Sequence, residues 1–182
     1  FYTETFLSFY GLTPKDVTLV PLDPHRPTDA LVAGEVDAAG LYHPFGGQAL
    51  ERLGRLGKAM EIPPIYTLTM NLVARPGLTD AQLVKVLRSL QQVAQLMRNQ
   101  PAQAQALAAK VLGTPAERVA QQVREFDFRL RLDQSLIGTL ETESRWAMRA
   151  GLSTVVEAPD YLDVVRARPL RTLESRAVSL VK

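Results

Sequence analysis

The sequence predicts an α/β fold, in which helices flank a parallel-dominated β-sheet. Residues 1–74 alternate between helix-type and strand-type patterns, which is the order typical of right-handed βαβ crossovers. Within them, Val36–Tyr42 is too apolar for a half-exposed strand and is typical of a strand covered on both faces. The remainder of the chain is dominated by apolar residues spaced three and four apart, the pattern of amphipathic helices.

The first half divides into short helices and strands. Phe1–Tyr10 carries its apolar residues on roughly one helical face and is followed by Gly11, a residue that commonly ends a helix. Strand-forming residues fill four segments, some of them β-branched, and turn residues separate them. The predicted elements are helices Phe1–Tyr10, Thr28–Ala33 and about Gly47 to Leu56, and strands Val17–Leu22, Val36–Tyr42, Lys58–Ile62 and Tyr66–Ala74.

The second half is predicted to be mostly helical. Thr79 and Gln82 form a capping box before a stripe of apolar residues: Leu83, Val86, Leu87, Leu90, Ala94 and Met97. The next helix opens at Pro101 and closes at Gly113, and a second capping box, Thr114 with Glu117, opens a third. One strand is predicted here, in which Phe126, Phe128, Leu130 and Leu132 face inward and Asp127, Arg129 and Arg131 face outward. Helices from Asp133 or Gln134 to Gly151 and from Tyr161 to Val165 complete the prediction.

Composition excludes several classes of protein. The 182 residues include no cysteine, so disulfides, thiolate nucleophiles and sulfur-ligated metals are excluded. The formal net charge is +2 without a basic run, which gives no sign of a nucleic-acid partner, and no apolar stretch is long enough for a transmembrane helix. The two histidines lack metal-ligand spacing, and the serines lack the glycine elbow of a hydrolase. We therefore predict no catalytic residues, no metal and no cofactor.

The candidate binding site lies in the stretch GEVDAAGLYHPFGG, residues 34–47. Tyr42 and His43 follow the predicted strand, where α/β sheets bind ligands, and Gly46 and Gly47 open the next helix. A helix start favours an anion, so this segment combines a stacking ring, a titratable donor and an anion-friendly helix end. The alternative, a connection in which Tyr42 and His43 merely pack, stays open.

A second candidate segment follows the Pro63-Pro64 break, which is the predicted domain boundary. It divides the chain into residues 1–64 and 65–182. After it, Tyr66 and Asn71 lie on a Thr- and Asn-rich strand that is predicted to cross between two lobes, near a hinge where a ligand would sit. An ordinary strand with one polar face explains the same pattern.

These motifs, in this order, resemble the periplasmic solute-binding proteins of the nitrate, sulfonate and thiamine-precursor group. The resemblance rests on FLSFYGLTPKDVTLVPL, on Gly34-Glu35-Val36-Asp37-Ala38, on Tyr42-His43-Pro44, where the family often has tryptophan in place of Tyr42, and on NLVARP, LDQSLIGTLETESRWAMRAGL and PLRTLESRAVSLV. It implies a type II periplasmic-binding-protein-like fold, truncated at its N-terminus, with residues 1–64 in lobe two and residues 65–182 returning into lobe one.

The resemblance also implies a function and partners. The chain would bind a small solute, such as a sulfonate, nitrate, an aromatic acid or a thiamine-like pyrimidine, in a cleft between lobes. An ABC transporter permease would take it up. The protein would be exported to the periplasm without entering the membrane. The missing N-terminal half, or self-association, would cover its unpaired sheet edges. Two alternatives stay open: the ligand-sensing module of a signalling protein and an enzyme similar to a thiamine-pyrimidine synthase.

Overall fold

The computed structural model describes residues 1–42, 44–60, 66–124 and 126–181, and they form a helical protein. Helices contain 55% of the described residues and strand positions 1%. The predicted α/β fold with a parallel-dominated sheet, and with it the type II solute-binding architecture, is therefore wrong. The described part of the chain contains one isolated β-bridge, between Leu132 and Val178, and no sheet.

The chain divides into two compact units, residues 1–68 and 69–182. The Pro63-Pro64 break predicted as the boundary lies outside the described residues. The assignment of the two parts to two lobes stays a prediction.

The described residues of the first unit form three helices: α1 (Tyr2–Phe9), α2 (Pro27–Ala33) and α3 (Phe45–Leu53). A 3₁₀ turn, Gly54–Leu56, follows α3. The helix α2 packs against α3 through small buried residues, Ala30 and Ala49. Gly34 ends α2 with a φ of 73°, a left-handed conformation that glycine adopts at little cost. The predicted positions of these helices are confirmed, with ends shifted by a few residues.

Two segments predicted as strands in this unit, Val17–Leu22 and Val36–Tyr42, have no strand partner among the described residues. Val17–Leu22 is irregular, and its large apolar side chains Val17, Leu19 and Val20 are exposed. Residues 36–42 are also irregular, and Gly40 approaches α1, so a Cβ added there would lie 3.9 Å from Cδ1 of Tyr2. Strand preference expresses packing against a neighbouring strand, and no such neighbour exists among the described residues.

The second unit contains six helices among its described residues. They are α4 (Asp80–Asn99), α5 (Pro101–Leu112), α6 (Ala116–Gln122), α7 (Gln134–Arg149), α8 (Tyr161–Val164) and α9 (Ala167–Leu173). A 3₁₀ turn, Ser175–Ala177, follows α9. The helix α4 packs against α5 and α9, α5 packs against α6, and α7 packs against α8. The buried side chains of this unit are Leu83, Ala94, Ala104, Val119, Ile137, Pro169 and Leu170.

Local signals explain where several helices begin. The capping box at α4 is confirmed: the Gln82 amide donates to Oγ1 of Thr79 at 3.3 Å, and the Thr79 amide donates to Oε1 of Gln82 at 2.9 Å. The second predicted box is wrong, because Pro115 occupies the cap position of α6 and no side chain caps that helix. The helix α9 is not predicted by the sequence patterns; Pro169 lies in its first turn, where proline is tolerated.

Two further predicted strands are wrong as well, whereas the strand predicted over Lys58–Ile62 extends into residues 61 and 62, which lie outside the described residues. Residues 66–74 are irregular and mostly exposed, and residues 126–131 form no ladder. Phe126 is exposed and stacks on Phe128 with their ring centroids 5.9 Å apart, so it does not face inward as predicted. Leu132 alone pairs, since its amide donates to the carbonyl of Ala177 and its carbonyl accepts from the amide of Ser179.

Candidate functional site

Among the described residues, three rings of the first unit are in contact at the start of α3. Tyr42 meets Phe45 edge to face, with their ring centroids 5.3 Å apart and their planes at 86°. His25 meets the same Phe45 at 6.1 Å and 69°. Tyr42 remains 53% exposed. We call Tyr42, Phe45 and His25 the α3 aromatic cluster.

The helix beneath this cluster begins without a side-chain cap. Pro44 occupies the cap position, and it has no side-chain acceptor to offer the first amides of α3. The Phe45 amide donates to the Tyr42 carbonyl at 2.9 Å, which ties the ring-bearing residue Tyr42 to the helix start. A Cβ added at Gly47 would meet nothing within 4 Å, so the surface above this residue is open. The helix dipole places partial positive charge at this point.

The charged side chains of α2 and α3 near the cluster are largely paired. Arg26 bonds Glu35 at 3.2 Å, and Arg52 bonds Asp29 at 2.5 Å. The His25 amide donates to Oδ1 of Asp23 at 3.1 Å, which fixes the loop that carries the imidazole. An anion at the start of α3 would therefore meet backbone dipoles and the His25 ring, while these two arginines already have carboxylate partners.

Tyr66 lies in the same unit, beside the start of α1. Its ring centroid is 5.6 Å from that of Phe1 and 6.0 Å from that of Tyr2. Because Gly40 packs against Tyr2, the segment that ends at Tyr42 and the residue Tyr66 both approach the first turn of α1. Tyr42 thus contacts Phe45, whereas Tyr66 contacts the rings of Phe1 and Tyr2, and the binding roles predicted for the two tyrosines stay predictions.

The structure says less about the other two predicted site residues. His43 lies outside the described residues. Asn71 belongs to the second unit, where it is exposed and its Nδ2 donates to Oγ1 of Thr69 at 3.2 Å. The hinge crossing to which Asn71 was assigned depended on the α/β fold, which the helical architecture contradicts.

The sequence patterns do not single out a hollow in the second unit. It has a volume of about 230 Å³, and Met97, Arg98, Val123, Arg124, Phe126 and Phe128 contribute to its lining. Arg98 donates through Nη1 to the carbonyl of Phe128. One of the guanidinium N–H groups of Arg98 is therefore bonded to the lining of the hollow. The hollow combines residues from α4, α5, α6 and the segment that follows, a combination that no local pattern encodes.

Two arginines that follow Phe128 in the chain, Arg129 and Arg131, are paired with acids. Arg129 donates to both carboxylate oxygens of Asp127, at 2.7 and 2.9 Å from Nε and 2.6 Å from Nη2. This hydrogen bonding holds the pKa of Asp127 below its usual range. Arg131 lies 3.3 Å from Asp133 and 3.7 Å from Asp127. The exposed ion pairs favour a solvated surface here over an anion-binding pair of arginines.

Comparison of the chain with protein-family models, with curated proteins and with solved structures finds no match. Within residues 1–42, 44–60, 66–124 and 126–181, no three His, Asp or Glu side chains come together in a way that could hold a metal ion. None of the helices described in these ranges is both long enough and apolar enough to cross a bilayer.

Proposed function

We propose that the first unit binds a small organic anion with a flat ring, such as an aromatic carboxylate or sulfonate, at the α3 aromatic cluster. The observation that supports the proposal is the half-exposed Tyr42 ring, which contacts Phe45 edge to face beside the start of α3, where no side chain caps the helix. The flat part of the solute would stack on Tyr42, and its anionic group would lie at the helix start. Nitrate offers no ring to stack, so it fits this site less well.

The chemistry of the cluster is suited to binding and not to bond making. Tyr42 and Phe45 offer ring surface, and His25 offers a hydrogen-bond donor whose orientation depends on the Asp23 loop. Delivery of the solute to a transporter permease in the periplasm stays a prediction of the family resemblance. Sensing of the solute by a signalling protein and its conversion by a synthase-like enzyme also stay predictions. Each of these alternatives begins with the same binding step.

Calorimetric titration of the chain with benzoate, an aliphatic sulfonate, nitrate and an aminopyrimidine tests the proposal. We expect benzoate to bind more tightly than nitrate, and Tyr42→Ala to weaken benzoate binding about tenfold, the equivalent of 1.4 kcal/mol. The melting temperature should change little, because the replaced ring is half exposed.

Tyr10→Ala is the matched control. Tyr10 is 44% exposed and meets Phe9 at 5.2 Å and 86°, nearly the geometry of Tyr42 with Phe45, but it lies at the end of α1. Its replacement should leave benzoate affinity unchanged. Absence of binding by every member of the panel, or equal losses in the two variants, would contradict the proposal.

A further inference from the structure

The hollow in the second unit combines an apolar surface with two arginine side chains. Its volume is about 230 Å³. A cavity of about 150 Å³ lined by apolar side chains holds benzene, so this hollow has room for a molecule somewhat larger than a benzene ring. Its apolar lining comes from α4, α5, α6 and the segment after α6: Met97, Pro101, Ala120, Val123, Phe126 and Phe128.

Contacts between α4 and the segment after α6 fix one wall of the hollow. Arg98, in the last turn of α4, donates through Nη1 to the carbonyl of Phe128. The ring of Phe128 stacks on that of Phe126, with the ring centroids 5.9 Å apart and the planes at 28°. Because Phe126 remains 44% exposed, a solute can reach this apolar surface from solvent.

The charged groups of the lining favour an anion. Among the described residues, two guanidiniums, those of Arg98 and Arg124, and one carboxylate, that of Asp127, line the hollow. Both oxygens of Asp127 accept hydrogen bonds from Arg129. The exposed guanidinium of Arg124 makes no hydrogen bond and no ion pair with a described residue. Arg124 therefore places a cation without a described acid partner beside an apolar surface.

We propose that this hollow binds a small carboxylic acid with an apolar body, such as a short fatty acid. The apolar body lies against Met97, Val123 and Phe126, and the carboxylate pairs with the guanidinium of Arg124. A neutral molecule of the same shape lacks this ion pair, and a cation is repelled by both guanidiniums of the lining. The site belongs to the second unit and is independent of the α3 aromatic cluster.

Titration of the isotope-labelled chain, followed by the amide signals in nuclear magnetic resonance spectra, locates and measures this binding. Hexanoate is the probe, and hexan-1-ol and hexylamine carry the same apolar body without charge and with positive charge. We expect saturable shifts of amide signals between residues 97 and 128. Hexanoate should bind most tightly and hexylamine least. Absence of saturation, shifts confined to other parts of the chain, or an order that does not follow charge would overturn the proposal.

The variant Arg124→Gln tests the charge separately from the apolar surface. It should weaken hexanoate binding about fivefold, the effect of one partly solvated ion pair, and leave hexan-1-ol binding unchanged. Arg88→Gln is the matched control, since Arg88 is exposed on α4, has no ion pair with a described residue and does not line the hollow. It should change neither affinity. Equal losses of hexanoate binding in the two variants would contradict the role of Arg124.

The variant Ala120→Leu tests the apolar part of the hollow. Leucine forms helices nearly as well as alanine, so α6 is retained while the larger side chain fills part of the space. Hexanoate and hexan-1-ol should both lose most of their binding. Ala106→Leu, at an exposed position of α5 outside the lining, should affect neither ligand. Undiminished binding of both ligands to Ala120→Leu would place them elsewhere and overturn the proposal.

Discussion

At the scale of the residue, the clearest electrostatic feature is the N-cap of α7. Asp133 accepts hydrogen bonds from the hydroxyl of Ser135 and from the Leu136 amide, the latter at 3.3 Å. These bonds, the Ser135 bond above all, hold the pKa of Asp133 below its usual range, although partial burial opposes the shift. A carboxylate with a lowered pKa stabilises the folded chain above the ordinary carboxyl range, and this contribution disappears as the pH falls through the lowered pKa.

We expect Asp133→Ala to lower the free energy of unfolding by about 1 kcal/mol at pH 7, the usual cost of losing a cap. The difference from the natural chain should shrink between about pH 5 and pH 2, because the natural carboxylate is protonated there. Urea unfolding of both proteins across this pH range measures the difference in their free energies of unfolding. Asp133→Asn keeps a cap acceptor that cannot titrate, so it should retain most of the stability at pH 7. A difference between Asp133→Ala and the natural chain that stays constant with pH would refute the assignment.

The residue scale also shows what a single pattern can predict about the site. Tyr42 was singled out because it follows a predicted strand and Tyr66 because it follows the Pro63-Pro64 break, and each contacts another ring of the first unit. The contributions of His25 and Phe45 were not predicted as binding roles. Each depends on ring contacts across a loop, from residue 25 to residue 45, and sequence spacing does not encode such contacts.

At the scale of the element, helices were predictable and strands were not. The starts and ends of α4 and α5 follow from Thr79, Gln82, Pro101 and Gly113, because capping and proline placement act within one turn. A strand is stable only beside another strand, and its partner is distant in sequence. The β-branched and apolar runs therefore identified segments suited to extended structure without establishing that a sheet exists.

Comparison of Thr79 with Thr114 measures how much a capping hydrogen bond contributes to the stability of the folded chain. Both residues precede a helix, but only Thr79 bonds the amide three residues later. We expect Thr79→Ala to lower the free energy of unfolding by about 1 kcal/mol and Thr114→Ala to change it by less than about 0.5 kcal/mol. Urea midpoints of the two variants provide the comparison. Equal losses would mean that the hydrogen bonds of the Thr79 capping box contribute nothing measurable.

At the scale of the whole molecule, two helical units have small buried cores and large exposed apolar surfaces. The apolar stripe of α4 illustrates this: Leu83 and Ala94 are buried, whereas Val86, Leu90 and Val93 on the adjoining face are exposed. The sequence predicted the stripe but not how much of it α5 and α9 would cover. Coverage depends on the number of elements that pack around a helix, and this is a property of the assembled chain.

The family resemblance illustrates the same limit. Its motifs are individually short, and a glycine after a helix or an Ala-Leu helix before Gly34 follows from local physics in many folds. Their order along the chain led to the α/β expectation that the helical structure contradicts. The helices within the resembling segments are present, but the part of the chain that the structure describes contains no sheet to connect them.

The central claim is that two segments with strand-type sequences, residues 17–22 and 36–42, form no sheet with the described part of the first unit, and amide hydrogen exchange tests it most directly. Residues 17–20 and 36–41 make no backbone–backbone hydrogen bonds to other described residues. Their amides should therefore exchange at nearly the rates of an unstructured chain, while the middle of α4 is protected. Protection of residues 36–41 equal to that of α4 would show a paired strand and contradict the account.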